Sequence, residues 1–337
     1  MMTIGYFGDG RWAQRALDNI HEAHGLEVAF VVARHDAPDQ VLRDRAQAMD
    51  VPFYAPENVN APSFLEKIDS HAPDVNVSMS YNQIFRADAI ELAPKGFINC
   101  HAGALPFYRG RNVLNWALLN GEDRFGVTVH YVEESIDTGD IITQRFGVVT
   151  PEDDYQSILD KAVALCAEAL LDALRDLRQA NVTTTSQESI HPVGFYSSRR
   201  REGDEWIDWS WSTERIYNLV RAIAPPGPGA RTVLNGGSIV VTKAELIPQA
   251  PEYIDRPGTV VGTDSEGIIM KTGDTTLKVT EIADWDGEVV NPRTPRLRIG
   301  TVFGQNVQHE LNRLSNLVGH LEKRIDELEN RRPPEDV

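Results

Sequence analysis

Residues Thr3–Ile20, TIGYFGDGRWAQRALDNI, contain the pattern that decides the fold. A short apolar run is followed by glycines and then by apolar residues at helical spacing, which is typical of a strand that turns into a helix. The same alternation continues to about Ala180 and predicts α/β units around a mostly parallel sheet. The predicted strands are Thr3–Gly8, Glu27–Ala33, Val75–Ser80, Phe97–Cys100 and Gly126–Glu133.

Amphipathic stretches between these strands predict the helices that cover the sheet. A long helix over Asp154–Ala180 is expected to pack on the core, because Ile158, Ala162 and Ala169 recur at helical spacing. This half is therefore predicted to be a Rossmann-like sheet flanked by helices. The shorter helices are expected near 11–24, 37–49, 60–71 and 111–120.

The chain becomes β-like after a polar stretch at Asn181–Ile190. Asn235-Gly236 stands before Ser238–Thr242, which is a hairpin signal, and further short β runs follow. A helix at 212–224 precedes them. The predicted domains are an α/β domain at 1–185, a small β-rich, barrel-like domain at 191–304 and a coiled-coil helix at 305–331.

The last segment has the most regular hydrophobic pattern in the chain. Its apolar residues alternate spacings of four and three, as in a coiled coil, and Arg324 at a g position could pair with Glu329 of a second chain. We expect a homodimer joined through residues 307–328. The alternative is an amphipathic helix on its own domain, because about three heptads is short for an isolated coil. The contact positions are Val307, Leu311, Leu314, Val318, Leu321, Ile325 and Leu328.

Composition excludes several classes of protein. The chain has 337 residues, of which 41% are hydrophobic and 25% are charged. It contains no apolar run of the roughly 20 residues that a membrane helix needs, and its start does not resemble a signal peptide. We therefore expect a cytoplasmic protein without a membrane partner. Its 33 basic and 50 acidic residues give a charge of −17, which argues against nucleic acid as the main partner. Cys100 and Cys166 suggest neither a disulfide framework nor a zinc site.

The glycines after the first strand form one candidate site. Gly8–Ala13 matches G-x-G-x-x-A, and Asp36 follows the next strand beside Arg34. A dinucleotide site that favours NADP would have this pattern, but any tight turn from strand to helix also favours glycine. An NADP-binding oxidoreductase is therefore the alternative from another class of enzyme.

A second candidate site lies in Gly96–Gly110, GFINCHAGALPFYRG. A strand ends there in Asn99-Cys100-His101, and strand alternation places Asn99 and His101 on the same side. The carboxyl end of parallel strands is where α/β sheets bind ligands. A structural histidine is the simpler alternative, unless Asp137 lies close to it.

These motifs resemble the folate-dependent formyltransferase family, which includes methionyl-tRNA formyltransferase and the sugar N-formyltransferases. The similarity rests on NCHAGALPFYRG at Asn99–Gly110, Trp116-Ala117 and DTGDII at Asp137–Ile142, and extends loosely over about residues 3–245. It implies that Asn99, His101 and Asp137 are catalytic, with Asp140 as the alternative aspartate.

The resemblance implies transfer of a formyl group from N10-formyltetrahydrofolate to an amine, with no metal. An asparagine amide can stabilise the oxyanion, a histidine can accept the proton of the amine, and an aspartate can orient the imidazole. The implied folate contacts are Met79, Tyr81, Ile84, Phe85 and Asp140.

The amine is expected to be a nucleotide-linked amino sugar (dTDP, UDP or GDP) used in surface-polysaccharide synthesis. A methionyl-tRNA enzyme, the alternative, needs a basic surface for the tRNA phosphates, whereas this chain is acidic. A diphosphate needs only a local pair of cations, which Arg109 and Arg111, or residues 199–201, could supply. The implied substrate contacts are Gly8, Asp9, Tyr108, Arg109, Arg111, Asn112 and Trp116.

Overall fold

A computed structural model describes residues 1–283, 289–290, 297–304 and 307–329. The chain divides into one compact unit of residues 1–205 and 218–229 and another of residues 206–217 and 230–337. The second unit thus begins after Glu205, later than the boundary that we expected between 185 and 191. Within the described ranges, no helix is long and apolar enough to cross a membrane.

The first unit is built on a seven-stranded sheet with the order β3-β2-β1-β4-β5-β7-β8. The pairs from β3 to β5 are parallel, whereas β7 and β8 join in antiparallel fashion, which confirms a mostly parallel sheet. A short pair, β6 with β9, lies apart from it. The strands are β1 (Met2–Gly8), β2 (Leu26–Val32), β3 (Phe53–Tyr54), β4 (Val75–Met79), β5 (Phe97–His101), β6 (Arg109–Gly110), β7 (Arg124–Tyr131), β8 (Ile141–Val148) and β9 (Tyr196–Ser197).

Helices follow most of these strands, as the sequence predicts. The longest begins with a capping box, in which the Asp154 carboxylate accepts from the Ser157 amide and the Ser157 hydroxyl accepts from the Asp154 amide. The helices are α1 (Gly10–His21), α2 (Gln40–Ala48), α3 (Pro62–Asp69), α4 (Ala87–Ile90), α5 (Val113–Leu119), α6 (Tyr155–Gln179), α7 (Gln187–Ile190) and α8 (Thr213–Ala222).

An aromatic cluster in the core fixes the strands that lead to the candidate site. The Phe7 ring on β1 lies 5.8 Å from Phe30 on β2 and 5.1 Å from Phe97 on β5, measured between centroids. Phe85 lies 4.2 Å from Phe97 and belongs to the same cluster. Each buried ring stabilises the fold by roughly 1.5–3 kcal/mol, so the start of β5 is held firmly.

The second unit carries an antiparallel sheet with the order β10-β11-β14-β13-β12, and β15 pairs with β14. The predicted hairpin is confirmed: Asn235 and Gly236 both have positive φ, 51° and 83°, as a two-residue type I′ turn requires. Its strands are β10 (Ala230–Leu234), β11 (Gly237–Leu246), β12 (Val260–Thr263), β13 (Ile268–Lys271), β14 (Thr276–Ala283) and β15 (Val289–Val290).

The terminal segment forms the predicted helix, α9 (Val307–Glu329). Its described heptad positions are exposed to solvent: 44% for Leu314, 53% for Val318 and 54% for both Leu321 and Ile325. The coiled-coil homodimer itself stays a prediction. The side chains of Val307, Leu311, Leu328 and Glu329, which that prediction also uses, lie outside the described residues.

Candidate active site

The candidate active site lies at the carboxyl end of β5. Asn99 and His101 are separated by one residue and therefore project from the same face of the sheet. β5 pairs with β7 so that Asn99 stands opposite His130, and directly opposed residues in an antiparallel pair share a face. The register therefore adds a second imidazole beside the two predicted side chains.

Asp137 reaches this group from the connection between β7 and β8, where its φ of 56° lies in the left-handed region. Its Oδ2 lies 3.7 Å from Nδ1 of His101, and its Oδ1 lies 3.5 Å from Nε2 of His130. The Gly110 amide donates to Oδ2 at 2.9 Å. The carboxylate of Asp140 instead accepts from the Thr184 hydroxyl at 3.5 Å, so Asp137 is the aspartate that faces the histidines.

The protonation of His101 follows from its partner. Nε2 lies 2.7 Å from the carbonyl oxygen of Tyr108. A carbonyl only accepts, so Nε2 carries the hydrogen and Nδ1 holds the lone pair in the neutral ring. Nδ1 is therefore the atom that can take up a proton, and Asp137 lies beside it to stabilise the cation that results.

Burial and charge set the pKa values of this pair. Burial lowers the pKa of His101 below its usual 6.5, although Asp137 and the bond to Tyr108 counteract this effect. Burial alone would raise the pKa of Asp137, but His101, His130 and the Gly110 amide outweigh it and lower the pKa to about 2. At neutral pH the aspartate is thus ionised and His101 is mostly a neutral base.

The loop after β5 is held by side chains from the neighbouring strands. The Thr128 hydroxyl donates to the Gly103 carbonyl at 2.7 Å, and the Gln144 amide donates to the Leu105 carbonyl at 2.9 Å. A Cβ on Gly103 would lie 2.5 Å from Nε2 of His101, so only glycine fits there. These contacts fix the carbonyl of Tyr108 that sets the tautomer of His101.

Asn99, His101 and Asp137 line a cavity of about 540 Å³ within the first unit. One wall is formed by residues 79–82 at the carboxyl end of β4, and another by residues 110–115. In the part of the chain that the structure describes, no cluster of three or more His, Cys, Asp or Glu side chains has the arrangement of a metal site.

The structure brings only some of the predicted folate contacts to this cavity. Met79 and Tyr81 line it. Ile84 is 64% exposed, and Phe85 is turned into the aromatic core, so neither lines the cavity. Asp140 does not line it either. The chain turns away from the cavity after residue 82, which the pattern of apolar residues could not indicate.

The predicted substrate contacts also divide into two groups. Arg111 and Asn112 line the cavity. Arg109 and Trp116 do not line it. The guanidinium of Arg109 donates two hydrogen bonds to the side-chain oxygen of Gln187, and the indole of Trp116 donates to the Ser198 carbonyl at 2.8 Å. Tyr108 contributes its carbonyl to His101, while its hydroxyl donates to Glu122.

Gly8 ends β1 and Asp9 directly precedes α1, and neither residue lines the cavity. The Gly10 amide there donates to the Asp39 carboxylate at 3.0 Å. Arg34 pairs with Asp36 at 2.6 Å and with Asp9 at 3.3 Å. Carboxylates therefore surround the position that a dinucleotide phosphate would need, which argues against the NADP interpretation.

His130 and the loop contacts of Thr128 and Gln144 were not predicted from the sequence. The alternation in Gly126–Tyr131, GVTVHY, does place Thr128 and His130 on one face. Only the register of β7 against β5 shows that this is the face of Asn99, and that register is not written in the sequence.

Two family models match the chain: Formyl transferase over residues 2–174 and Formyl transferase, C-terminal domain, over residues 200–294. The first alone covers half of the chain. The protein belongs to the formyl transferase family. This membership confirms the resemblance, and Asn99, His101 and Asp137 lie inside the first match.

Several solved structures are similar to this formyl transferase. An N-formyltransferase from Helicobacter canadensis, in complex with folinic acid and dTDP-3-aminofucose, has 18% identity and a TM-score of 0.65 over 83% of this chain and 99% of that one. WlaRD, a sugar 3N-formyl transferase, has 19% identity and a TM-score of 0.63, and the match covers 83% of this chain and 97% of WlaRD. HypX from Aquifex aeolicus has 20% identity and a TM-score of 0.56 over 87% of this chain, which spans only 47% of HypX.

Proposed function

We propose that this formyl transferase moves the formyl group of N10-formyltetrahydrofolate to the amino group of a nucleotide-linked amino sugar. The observation that carries the proposal is the convergence of Asn99, His101 and Asp137 on one cavity. An amide donor, a base and a carboxylate are what attack of an amine on a formyl carbon requires. We further propose that the product is used in surface-polysaccharide synthesis.

Each of the three side chains has a separate task. The amide of Asn99 donates to the formyl oxygen as negative charge develops there. Nδ1 of His101 accepts the proton that the attacking nitrogen loses, because the other ring nitrogen donates to the Tyr108 carbonyl. The bond between the formyl carbon and N10 of the folate then breaks, and this proton passes to N10, so that tetrahydrofolate leaves. Asp137 stabilises the imidazolium through its contact with Nδ1.

The wall of residues 79–82 is the proposed site for the folate. It continues β4, the strand next to β5 in the sheet, and therefore borders Asn99 and His101. The crystals of the Helicobacter canadensis enzyme and of WlaRD contain folinic acid and 5-N-formyl-THF. These complexes support a formylated folate as the donor in this protein as well.

Two arginines are the proposed site for the anionic end of the substrate. Arg111 and Arg199 line the cavity, and no carboxylate among the described residues pairs with either. A diphosphate matches two guanidinium groups, whereas a tRNA needs an extended basic surface. The overall charge of −17 therefore favours the small substrate over methionyl-tRNA.

The test is a mass-spectrometric assay with N10-formyltetrahydrofolate and a panel of dTDP-, UDP- and GDP-amino sugars, beside methionyl-tRNA. We expect a sugar to gain one formyl group. Arg111→Gln and Arg199→Gln should each raise the KM for that sugar by about tenfold, which corresponds to loss of one charged hydrogen bond. Arg175→Gln, an exposed change on α6, is the control. Formylation of the tRNA alone would overturn the proposed substrate.

A further inference from the structure

His130 lies in the candidate site, but the reaction described above gives it no task. It is 2% exposed, and its Nε2 lies 3.2 Å from the Asn99 amide nitrogen and 3.5 Å from Oδ1 of Asp137. We propose that His130 is a positioning residue that fixes the orientation of the Asn99 amide. The inference rests on the proposed function, because it concerns the same formyl transfer.

The tautomer of His130 follows from its own strand. Nδ1 lies 2.8 Å from the carbonyl oxygen of Tyr131. Since the carbonyl only accepts, Nδ1 carries a hydrogen in every protonation state. In the neutral ring, Nε2 is therefore an acceptor, and it must take its hydrogen from the nitrogen of Asn99 rather than face the oxygen.

This constraint decides which end of the Asn99 amide faces the ring. With the amide flipped, its oxygen would face the lone pair of Nε2, and two acceptors repel each other. The observed orientation uses one hydrogen of Nδ2 on His130 and leaves the second for the cavity that Asn99 lines. The formyl oxygen thus meets a donor whose direction is already set, as oxyanion stabilisation requires.

Nε2 of His130 lies between the Asn99 amide and the Asp137 carboxylate, and the proposal depends on its accepting from the amide. The groups that face the ring are Asn99 and His101 from β5, Asp137 from the connection to β8, and the carbonyl of Tyr131. If Nε2 were protonated, it would donate to Asp137 and could no longer accept from Asn99. The amide would then lose the partner that holds it, while the fold around it would be unchanged.

Two substitutions separate positioning from a structural role. In His130→Asn the side-chain amide can still donate to the Tyr131 carbonyl, as Nδ1 does, but nothing accepts from Asn99. In His130→Gln an oxygen can occupy the place of Nε2. Removal of one oxyanion donor lowers kcat by about 10²–10³-fold, and a donor that is only misoriented should cost less. We therefore expect His130→Asn to lower kcat by about 10- to 100-fold and to change KM by less than about threefold.

For His130→Gln we expect kcat within about fivefold of the wild type, since the acceptor is retained. A structural role through the Tyr131 carbonyl would give the reverse order of the two variants and would overturn the proposal. His35→Gln is the control, because that histidine is exposed and its Nδ1 likewise contacts a carbonyl oxygen, that of Ala55.

A double-mutant cycle provides the second test. Asn99→Ala removes the amide that His130 is proposed to hold, so adding His130→Asn should then change kcat by less than about twofold. Additive losses in the double variant would show that His130 acts independently of Asn99 and would overturn the inference. A wild-type protein that formylates no amine would instead contradict the proposed function, so the two failures are distinguishable.

Discussion

Asp137 faces a different imidazole with each of its carboxylate oxygens. In the proposed mechanism the base is Nδ1 of His101, and the carboxylate stabilises the protonated ring. The pKa of His101 is lowered by burial and raised by Asp137, with burial the larger effect. The pH range in which the rate falls on acidification should therefore depend on both His101 and Asp137.

We expect kcat/KM to rise with pH, with a midpoint below pH 6.5. The reason is that the neutral His101 ring is the active form and burial lowers its pKa. Asp137→Asn removes the charge that raises this pKa, so the midpoint should move to lower pH while kcat falls by about 10²-fold or more. The measurement is a pH profile of formyl transfer. Asp140→Asn is the matched control, and a midpoint that does not move in Asp137→Asn would contradict the assignment of His101.

Among the individual residues of the site, those that belong to a contiguous motif were predictable from the sequence. Asn99 and His101 are neighbours on one strand, so alternation alone places them together, and the resemblance identified Asp137 against Asp140. His130 could not be found in the same way. Its position depends on a strand register, and residues 99 and 130 are distant in the chain.

The element that matters most for the site is the loop of residues 102–108 after β5. Thr128 on β7 and Gln144 on β8 hold its backbone, and the loop in turn supplies the carbonyl that fixes His101. β8 was not predicted as a strand. It is an edge strand with exposed Phe146 and Val148, so its alternation lacks the usual contrast between a buried and an exposed face.

Gln144→Leu should weaken the loop and the catalysis together. The substitution leaves the Leu105 carbonyl without its donor, which we expect to lower the free energy of unfolding by about 1–3 kcal/mol. Because the Tyr108 carbonyl is then held less firmly, kcat should also fall. Chemical denaturation and steady-state kinetics test both effects.

Gln156→Leu is the control for this change, since among the described residues the Gln156 side chain donates to Asp160 alone, near the start of α6. A Gln144→Leu variant with wild-type stability and kcat would show that the loop does not depend on β8.

At the scale of the whole molecule, the order of α/β units, the β-rich second unit and the terminal helix follow from periodicity in the sequence. The hairpin at Asn235-Gly236 was predictable because its turn type requires residues that accept positive φ. The division between the two units after Glu205 was not predictable. A polar linker pattern at 181–190 gives no information about which segments pack together.

The apolar stripe of α9 carries the prediction of a homodimer. Leu314, Val318, Leu321 and Ile325 are about half exposed in the single chain, and the heptad spacing matches the seam of a parallel two-stranded coil. We propose that a second copy of the chain covers this stripe. Arg324 at g and Glu329 at e would then be opposite-charge neighbours between chains.

The double substitution Val318→Glu with Leu321→Glu should convert the dimer to a monomer, because it places like charges in the seam. Light scattering after size exclusion gives the mass directly. Asn316→Glu with His320→Glu adds the same charge on the outer face of the helix and should leave the dimer intact. A wild-type chain with the mass of a monomer would show that the stripe does not join two copies.

The proposed reaction is tested most directly by transfer of a labelled formyl group from N10-formyltetrahydrofolate to amino-sugar acceptors in a single turnover. We expect the wild-type protein to move the label to the sugar amine. We expect Asn99→Ala to slow transfer by about 10²–10³-fold with little change in substrate affinity. Unchanged transfer in that variant, or no transfer by the wild type to any amine of the panel, would rule out the proposed reaction.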